Sequence, residues 1–87
     1  MTGIRRNDLD ICADILRVAK KGAKKTQIVY KANLNFKIVK KYLKRLLENG
    51  LLDSSERGKL FHTTDKGANF LEQYSELVGP INSMTGE

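Results

Sequence analysis

The chain has few of the residues that covalent chemistry or secretion requires. Its 87 residues include one cysteine, Cys12, and one histidine, His62. One cysteine excludes an internal disulfide, and a lone thiol suits a reducing compartment better than a secreted one. A single histidine with no cysteine beside it falls short of the three or four ligands a metal site needs. No run approaches the roughly 20 apolar residues that span a bilayer. Met1-Thr2-Gly3-Ile4-Arg5-Arg6 leads into no apolar signal segment, so the expectation is a soluble, cytoplasmic protein. Without a Gly-rich phosphate loop, a nucleophile motif or a convincing carboxylate pair, the sequence argues against an enzyme and implies no cofactor. Repeats, linkers and low-complexity segments are lacking too. The length suits one domain with a modest core and limited stability to spare.

A further absence is of one charge sign. Between Arg17 and Arg45 there is no carboxylate, while eleven cations fall in that window: Arg17, Lys20, Lys21, Lys24, Lys25, Lys31, Lys37, Lys40, Lys41, Lys44 and Arg45. The other five cations and all ten acids lie outside it, so the window carries +11 and the remainder −5, which gives the net +6. The positive charge is focused on one segment. Such a block, set among regularly spaced apolar residues, fits a surface that meets a polyanion; a lysine-rich solvated face is the plainer alternative.

The apolar spacing predicts four helices and a hairpin. Asn7 caps helix one, in which Ile11, Ile15, Val18 and Ala19 recur at helical spacing until Gly22 stops it. Leu9 and Leu16 point away from that stripe, toward either the C-terminal helix or another subunit. Helix two covers Lys25 to Ala32, with Ile28, Val29 and Ala32 inward, and ends at Asn33, a residue that tolerates the left-handed conformation. Asn35 caps helix three, which places Phe36, Val39, Leu43, Leu46 and Leu47 on one stripe before Gly50. Leu51 to Ser55, the turn Glu56-Arg57-Gly58-Lys59 and Leu60 to Thr63 read as a β-hairpin. Thr64 caps a last helix with Ala68, Phe70, Leu71, Tyr74, Leu77 and Val78 apolar. Gly79-Pro80 is expected to end that helix, leaving residues 1–79 as the domain and 80–87 as a flexible tail.

Two helices joined by Asn33-Leu34-Asn35 make a helix-turn-helix pattern, and the hairpin behind it lies where a wing belongs. The fold class is therefore α+β, mainly α: a winged helix-turn-helix with a three-helix core, a β-hairpin wing and a C-terminal helix. Three stretches carry a resemblance: Ala23-Lys24-Lys25-Thr26-Gln27-Ile28-Val29-Tyr30-Lys31-Ala32-Asn33-Leu34-Asn35-Phe36; Tyr42-Leu43 with Leu46-Leu47-Glu48-Asn49-Gly50-Leu51-Leu52; and Thr64-Asp65-Lys66-Gly67 with Phe70-Leu71. In these the chain resembles the archaeal winged helix-turn-helix family of predicted transcriptional regulators, relatives of the ten-kilodalton chromatin-associated DNA-binding proteins of archaea. The resemblance implies a short extra strand near Ala23, binding to double-stranded DNA, dimerisation through the C-terminal helix and a nucleoid-associated location. Thr63 stands where the family usually has an apolar residue. Gly79-Pro80 is expected to prevent the long antiparallel coiled coil into which several relatives extend their last helix.

Helical geometry assigns roles. With Phe36, Val39, Leu43 and Leu46 inward, Lys37, Lys41, Lys44 and Arg45 face solvent, with Asn35 at the leading end. Asn35 and Lys37 are placed for base edges, although Asn35 also serves as a cap; Lys41, Lys44 and Arg45 are placed for phosphates. Lys24, Lys25, Thr26 and Gln27 at the start of helix two suit a phosphate. Tyr30 either donates its hydroxyl there or packs on helix three. Arg57 and Lys59 at the wing tip form an accessory clamp. Leu9, Leu16, Phe70, Leu71, Tyr74, Leu77 and Val78 are the candidate dimer interface. The leading expectation is a homodimeric transcriptional regulator whose third helix enters the major groove. The alternatives are an architectural protein that uses the same face without sequence preference, and a protein-binding winged helix, against which the carboxylate-free block argues.

Overall fold

A computed structural model describes residues 8–55 and 57–85, and of residues 78–85 the backbone alone. The elements follow in the order α1 (Asp8–Val18), a 3₁₀ turn (Ala19–Lys21), β1 (Ala23–Lys24), α2 (Lys25–Lys31), α3 (Phe36–Glu48), β2 (Leu52–Ser55), β3 (Leu60–Thr63) and α4 (Asp65–Thr85). The expected cap Asn7 lies outside the described residues. Asp8 and Asp10 nevertheless put negative charge in the first turn of α1, where the helix dipole favours it. Gly22, at φ 91°, turns the chain into β1, the short strand that the resemblance implies.

The turn between α2 and α3 follows the sequence closely. Asn33 takes the left-handed conformation at φ 55°. The Asn35 side chain accepts the Ile38 N–H at 2.8 Å, which caps α3. At the other end of α3, Leu51 N–H donates to Leu46 C=O at 3.0 Å and Gly50 N–H to Leu47 C=O at 3.1 Å. With Gly50 at φ 74°, these two bonds make a Schellman stop. Lys66 adds an ammonium at 2.9 Å from the Asn49 carbonyl, beside the negative end of the helix dipole.

The three strands form an antiparallel sheet in the order β1-β3-β2. Ala23 pairs with Phe61 and Lys24 with Leu60 on one side; Leu52 pairs with Thr63 and Ser55 with Leu60 on the other. Arg57 and Gly58 both have positive φ in the hairpin loop, and Glu56 in the same loop lies outside the described residues. The departure at Thr63 is accommodated by a hydrogen bond. Its hydroxyl donates to the Leu16 carbonyl at 2.6 Å, so the polar atom is satisfied where an apolar side chain was expected.

Thr64 ties α4 to the α3–β2 turn. Its hydroxyl donates to the Gly50 carbonyl at 2.6 Å and accepts the Gly67 N–H at 3.1 Å. Gly67 has to lack a side chain, because a Cβ there would sit 2.2 Å from the Leu51 carbonyl oxygen. In contrast to the expected stop at Gly79-Pro80, α4 runs on to Thr85. A proline removes one intrahelical hydrogen bond and adds a local clash, which can bend a helix without ending it. The segment read as a tail is therefore helical over 80–85, and residues 86 and 87 lie outside the described residues.

The core brings together α1, α2, α3, β3 and α4. Ile15, Leu16, Ile28, Val39 and Leu46 are its largest fully buried side chains, with Tyr42, Leu43, Leu52, Phe61 and Leu71 also buried. Each such aliphatic side chain contributes roughly 1.5–3 kcal/mol. Three expectations about faces need correction. Leu16 is inside the core, because the chain's own α4 and β3 cover that side of α1, as one of the two options foresaw. On α3 the inner face is Val39, Tyr42, Leu43 and Leu46, while Phe36 and Leu47 are exposed. On α4, Ala68 and Leu77 face outward.

Candidate nucleic-acid interface

With Val39, Tyr42, Leu43 and Leu46 packed inward, the outer arc of α3 carries Lys37, Lys40, Lys41 and Lys44, with Phe36 at its edge beside Lys40, all exposed. Among the described residues none of these four lysines forms an ion pair; Lys41 alone has a ring contact, its ammonium 5.9 Å from the centre of Tyr42. The sequence pattern with Phe36 and Leu47 inward leaves Lys40 outside this set. Lys40 belongs to it once Tyr42 replaces Phe36 and Leu47 on the inner face. The pattern Val39, Tyr42, Leu43, Leu46 at i, i+3, i+4, i+7 was the signal for that assignment.

The same geometry sends Arg45 elsewhere. Its guanidinium lies 3.7 Å from an Asp8 carboxylate oxygen and 5.7 Å from the Tyr42 ring centre, on the flank that faces α1. The Tyr42 hydroxyl donates to the same Asp8 carboxylate. That hydrogen bond, with burial second, raises the Tyr42 pKa. Arg17 repeats the arrangement at the other end of α1: it pairs with Asp14 at 3.2 Å and lies 5.6 Å from the Tyr74 ring centre. The Tyr74 hydroxyl donates to Asp10, which pushes its pKa up to about 12.

Lys25, half-buried at the start of α2, faces Lys40 and Lys44 across a groove of about 360 Å³ floored by Leu43, Leu47 and Phe61, with Glu48 also on its wall. The structure thus brings Lys25 to the α3 lysines. Lys24, Thr26 and Gln27 are exposed beside it. The Gln27 side-chain oxygen accepts the Lys24 N–H at 2.9 Å and so helps start α2. Arg17, Lys20, Lys21 and Lys31 line a second groove of about 400 Å³ on another part of the surface, so the basic segment of the sequence divides into two patches.

Tyr30 is 83% exposed, which decides against packing on α3. Arg57 and Lys59 are exposed at the hairpin tip, with Asp53 exposed on the adjoining strand. Of the candidate dimer residues, Leu9 and Leu77 are exposed and flank a cleft of about 150 Å³ with Phe70, Gln73 and Tyr74. Phe70 and Tyr74 stack at 6.3 Å. Leu16 and Leu71 are consumed by the core, and the Val78 side chain lies outside the described residues.

His62 faces Ser55 across the hairpin, its Nε2 3.0 Å from the hydroxyl. Cys12 is half-buried, and burial raises its thiol pKa. Among the described residues there is no cluster of three or more His, Cys, Asp or Glu able to hold a metal ion, and no helix long and apolar enough to cross a membrane.

The chain is similar to proteins of archaea and, in fold, to one of a bacterium. An uncharacterised protein of Methanocaldococcus jannaschii is 30% identical over 80 residues, covering 91% of this chain and 80% of its own. A second from the same organism is 32% identical over 78 residues, and there the chain spans only 36% of the relative's length. The crystal structure of Sso10a-2, a DNA-binding protein from Sulfolobus solfataricus, superposes with a TM-score of 0.80 at 26% identity over 91% of this chain and 85% of that one. BpsR of Bordetella bronchiseptica shares the fold, with a TM-score of 0.76 at 19% identity over 88% and 62% of the two chains. Residues 5–79 match the family model described as winged helix-turn-helix, and the chain belongs to that family.

Proposed function

We propose that the protein binds double-stranded DNA as a homodimeric transcriptional regulator, with α3 in the major groove. The observation that carries this reading is the outer arc of α3, where four lysines stand clear of any carboxylate partner among the described residues. Phosphates lining the groove supply the missing counter-charge, and each neutralised phosphate releases condensed counterions. Lys37, at the leading end, reaches base edges; Lys40, Lys41 and Lys44 reach phosphates. Lys25, with Lys24, Thr26 and Gln27 at the start of α2, adds a backbone contact, and the Tyr30 hydroxyl is free to donate to a phosphate. Arg57 and Lys59 form a wing clamp that Asp53 weakens. Membership of the winged helix-turn-helix family and likeness to Sso10a-2, a DNA-binding protein, support the same reading.

The dimer uses the exposed Leu9 and Leu77 beside Phe70 and Tyr74, an apolar patch that a second copy buries. Two recognition helices then meet half-sites about 34–36 Å apart.

A second reading, an architectural protein without sequence preference, has a specific observation in its favour. The free cations of α3 are all lysine, which lacks the planar fork of arginine. The Asn35 carboxamide oxygen is already occupied by the Ile38 N–H. Titrating a randomised duplex and a selected duplex at two salt concentrations separates the two. A regulator binds the selected duplex at least 10³-fold more tightly, whereas an architectural protein binds both alike with a steep salt dependence. Failure to bind either duplex at low salt contradicts both readings.

A further inference from the structure

We infer that Phe36 reads thymine through its C5-methyl group, so that an apolar side chain supplies sequence preference on an otherwise electrostatic face. The inference rests on the duplex-DNA reading above and assigns a specificity-determining residue within it.

The inner face of α3 is filled by Val39, Tyr42, Leu43 and Leu46. Phe36 has no place there and is 53% exposed. Scattered single apolar residues on a surface need no explanation, but the position of this one is particular. It is the first residue of α3, immediately after the Asn35 cap, and the leading end of a recognition helix is the part that meets base edges. At about 100° per residue it lies roughly 20° round the helix from buried Leu43, 40° from Lys40 and 100° from Lys37, at the border between the core face and the lysine arc. With Lys37 at base edges and Lys40 on a phosphate, the phenyl ring beside Lys40 is carried toward the groove.

The neighbouring groups offer little competing readout. The Asn35 carboxamide oxygen caps the helix, so a bidentate contact with adenine would cost the cap. The lysines are point charges with little geometric discrimination. In the major groove the one apolar feature on a base edge is the thymine methyl group, and phenylalanine is among the side chains that pack on it. A phenyl ring partly exposed in the free protein and a methyl group exposed in the free duplex both leave water in the complex. Burying one methyl is worth roughly a four-fold gain in affinity.

The test compares two alternating duplexes of equal length, adenine–thymine and adenine–uracil, which differ only by the methyl group. Wild type, Phe36→Ala and Phe36→Leu are titrated with both. Wild type is expected to prefer the thymine duplex by roughly four-fold for each methyl contacted. Phe36→Ala loses that margin, while Phe36→Leu keeps part of it. The ratio in Phe36→Ala also subtracts what methyl removal does to the duplex itself. Because the side chain contributes nothing fully buried, both variants should melt close to wild type. Equal binding of the two duplexes by wild type, or an undiminished margin in Phe36→Ala, overturns the assignment while leaving DNA binding intact. Absence of binding to either duplex overturns the DNA reading itself.

Discussion

The two flanks of α3 both carry cations and use them differently. On the outer arc, Lys37, Lys40, Lys41 and Lys44 have no ion-pair partner among the described residues. On the flank toward α1, Arg45 lies against Asp8 and the face of Tyr42. Arg17 is held in the same manner by Asp14 and Tyr74. Both arginines of the basic segment have become fasteners between helices, a use that suits a planar guanidinium able to stack on a ring while meeting a carboxylate. The lysines, compact and strongly hydrated, stay in solvent. Charge counted along a chain thus overstates the charge a surface offers, because a carboxylate distant in sequence can return in space, as Asp8 does to Arg45.

The sharpest way to break this comparison is to disturb its inner side. Leu46→Ala is expected to cost about 2–5 kcal/mol of stability, as deletions of buried leucine do. Lys41→Ala should stay within about 0.5 kcal/mol of wild type. Denaturant unfolding of both checks this, and a comparable loss in Lys41→Ala would mean that the outer arc is structural. A smaller effect belongs to the α1 joint. Tyr42→Phe removes the hydroxyl that donates to Asp8 and should cost about 1 kcal/mol; an unchanged midpoint would mean that water already replaces that bond.

A further effect is one of pH. Tyr74 is raised from 10.0 to about 12 in the folded chain by its hydrogen bond to Asp10. The folded state holds this proton more tightly, so the contribution is complete below pH 10 and is lost as pH rises from 10 to about 12. The stability difference between wild type and Tyr74→Phe should be flat below pH 10 and shrink above it. A difference that stays constant through that range would remove the Tyr74–Asp10 bond from the account.

Most of the fold is legible in local sequence signals because its boundaries are set locally. Asn33, Asn35, Gly50 and Thr64 each act through backbone groups a few residues away, and each stands where the sequence predicts. The helical stop at Gly79-Pro80 fails because proline penalises continuation without forbidding it, and α4 continues. The site is less legible for a different reason. Which side of α3 faces inward depends on what α1 and the sheet present to it: Tyr42 is buried there with its hydroxyl donating to Asp8, while Phe36 stays exposed. From that choice follow the exposure of Phe36, the inclusion of Lys40 and the diversion of Arg45. Which of its two possible covers Leu16 takes is set on the same grounds, since α4 and β3, both remote in sequence, lie over it.

The central claim is that the lysine arc of α3, which has no ion-pair partner among the described residues, holds duplex DNA, and not the basic segment as a whole. It is tested most directly by the salt dependence of duplex affinity in wild type, in Lys41→Ala with Lys44→Ala, and in Arg45→Ala. Each lost phosphate contact flattens the slope of log K against log salt by about 0.9. The double variant should therefore be shallower than wild type by about 1.8, while Arg45→Ala keeps the wild-type slope. A double variant with an unchanged slope, or an Arg45→Ala that flattens it as much, would contradict the account.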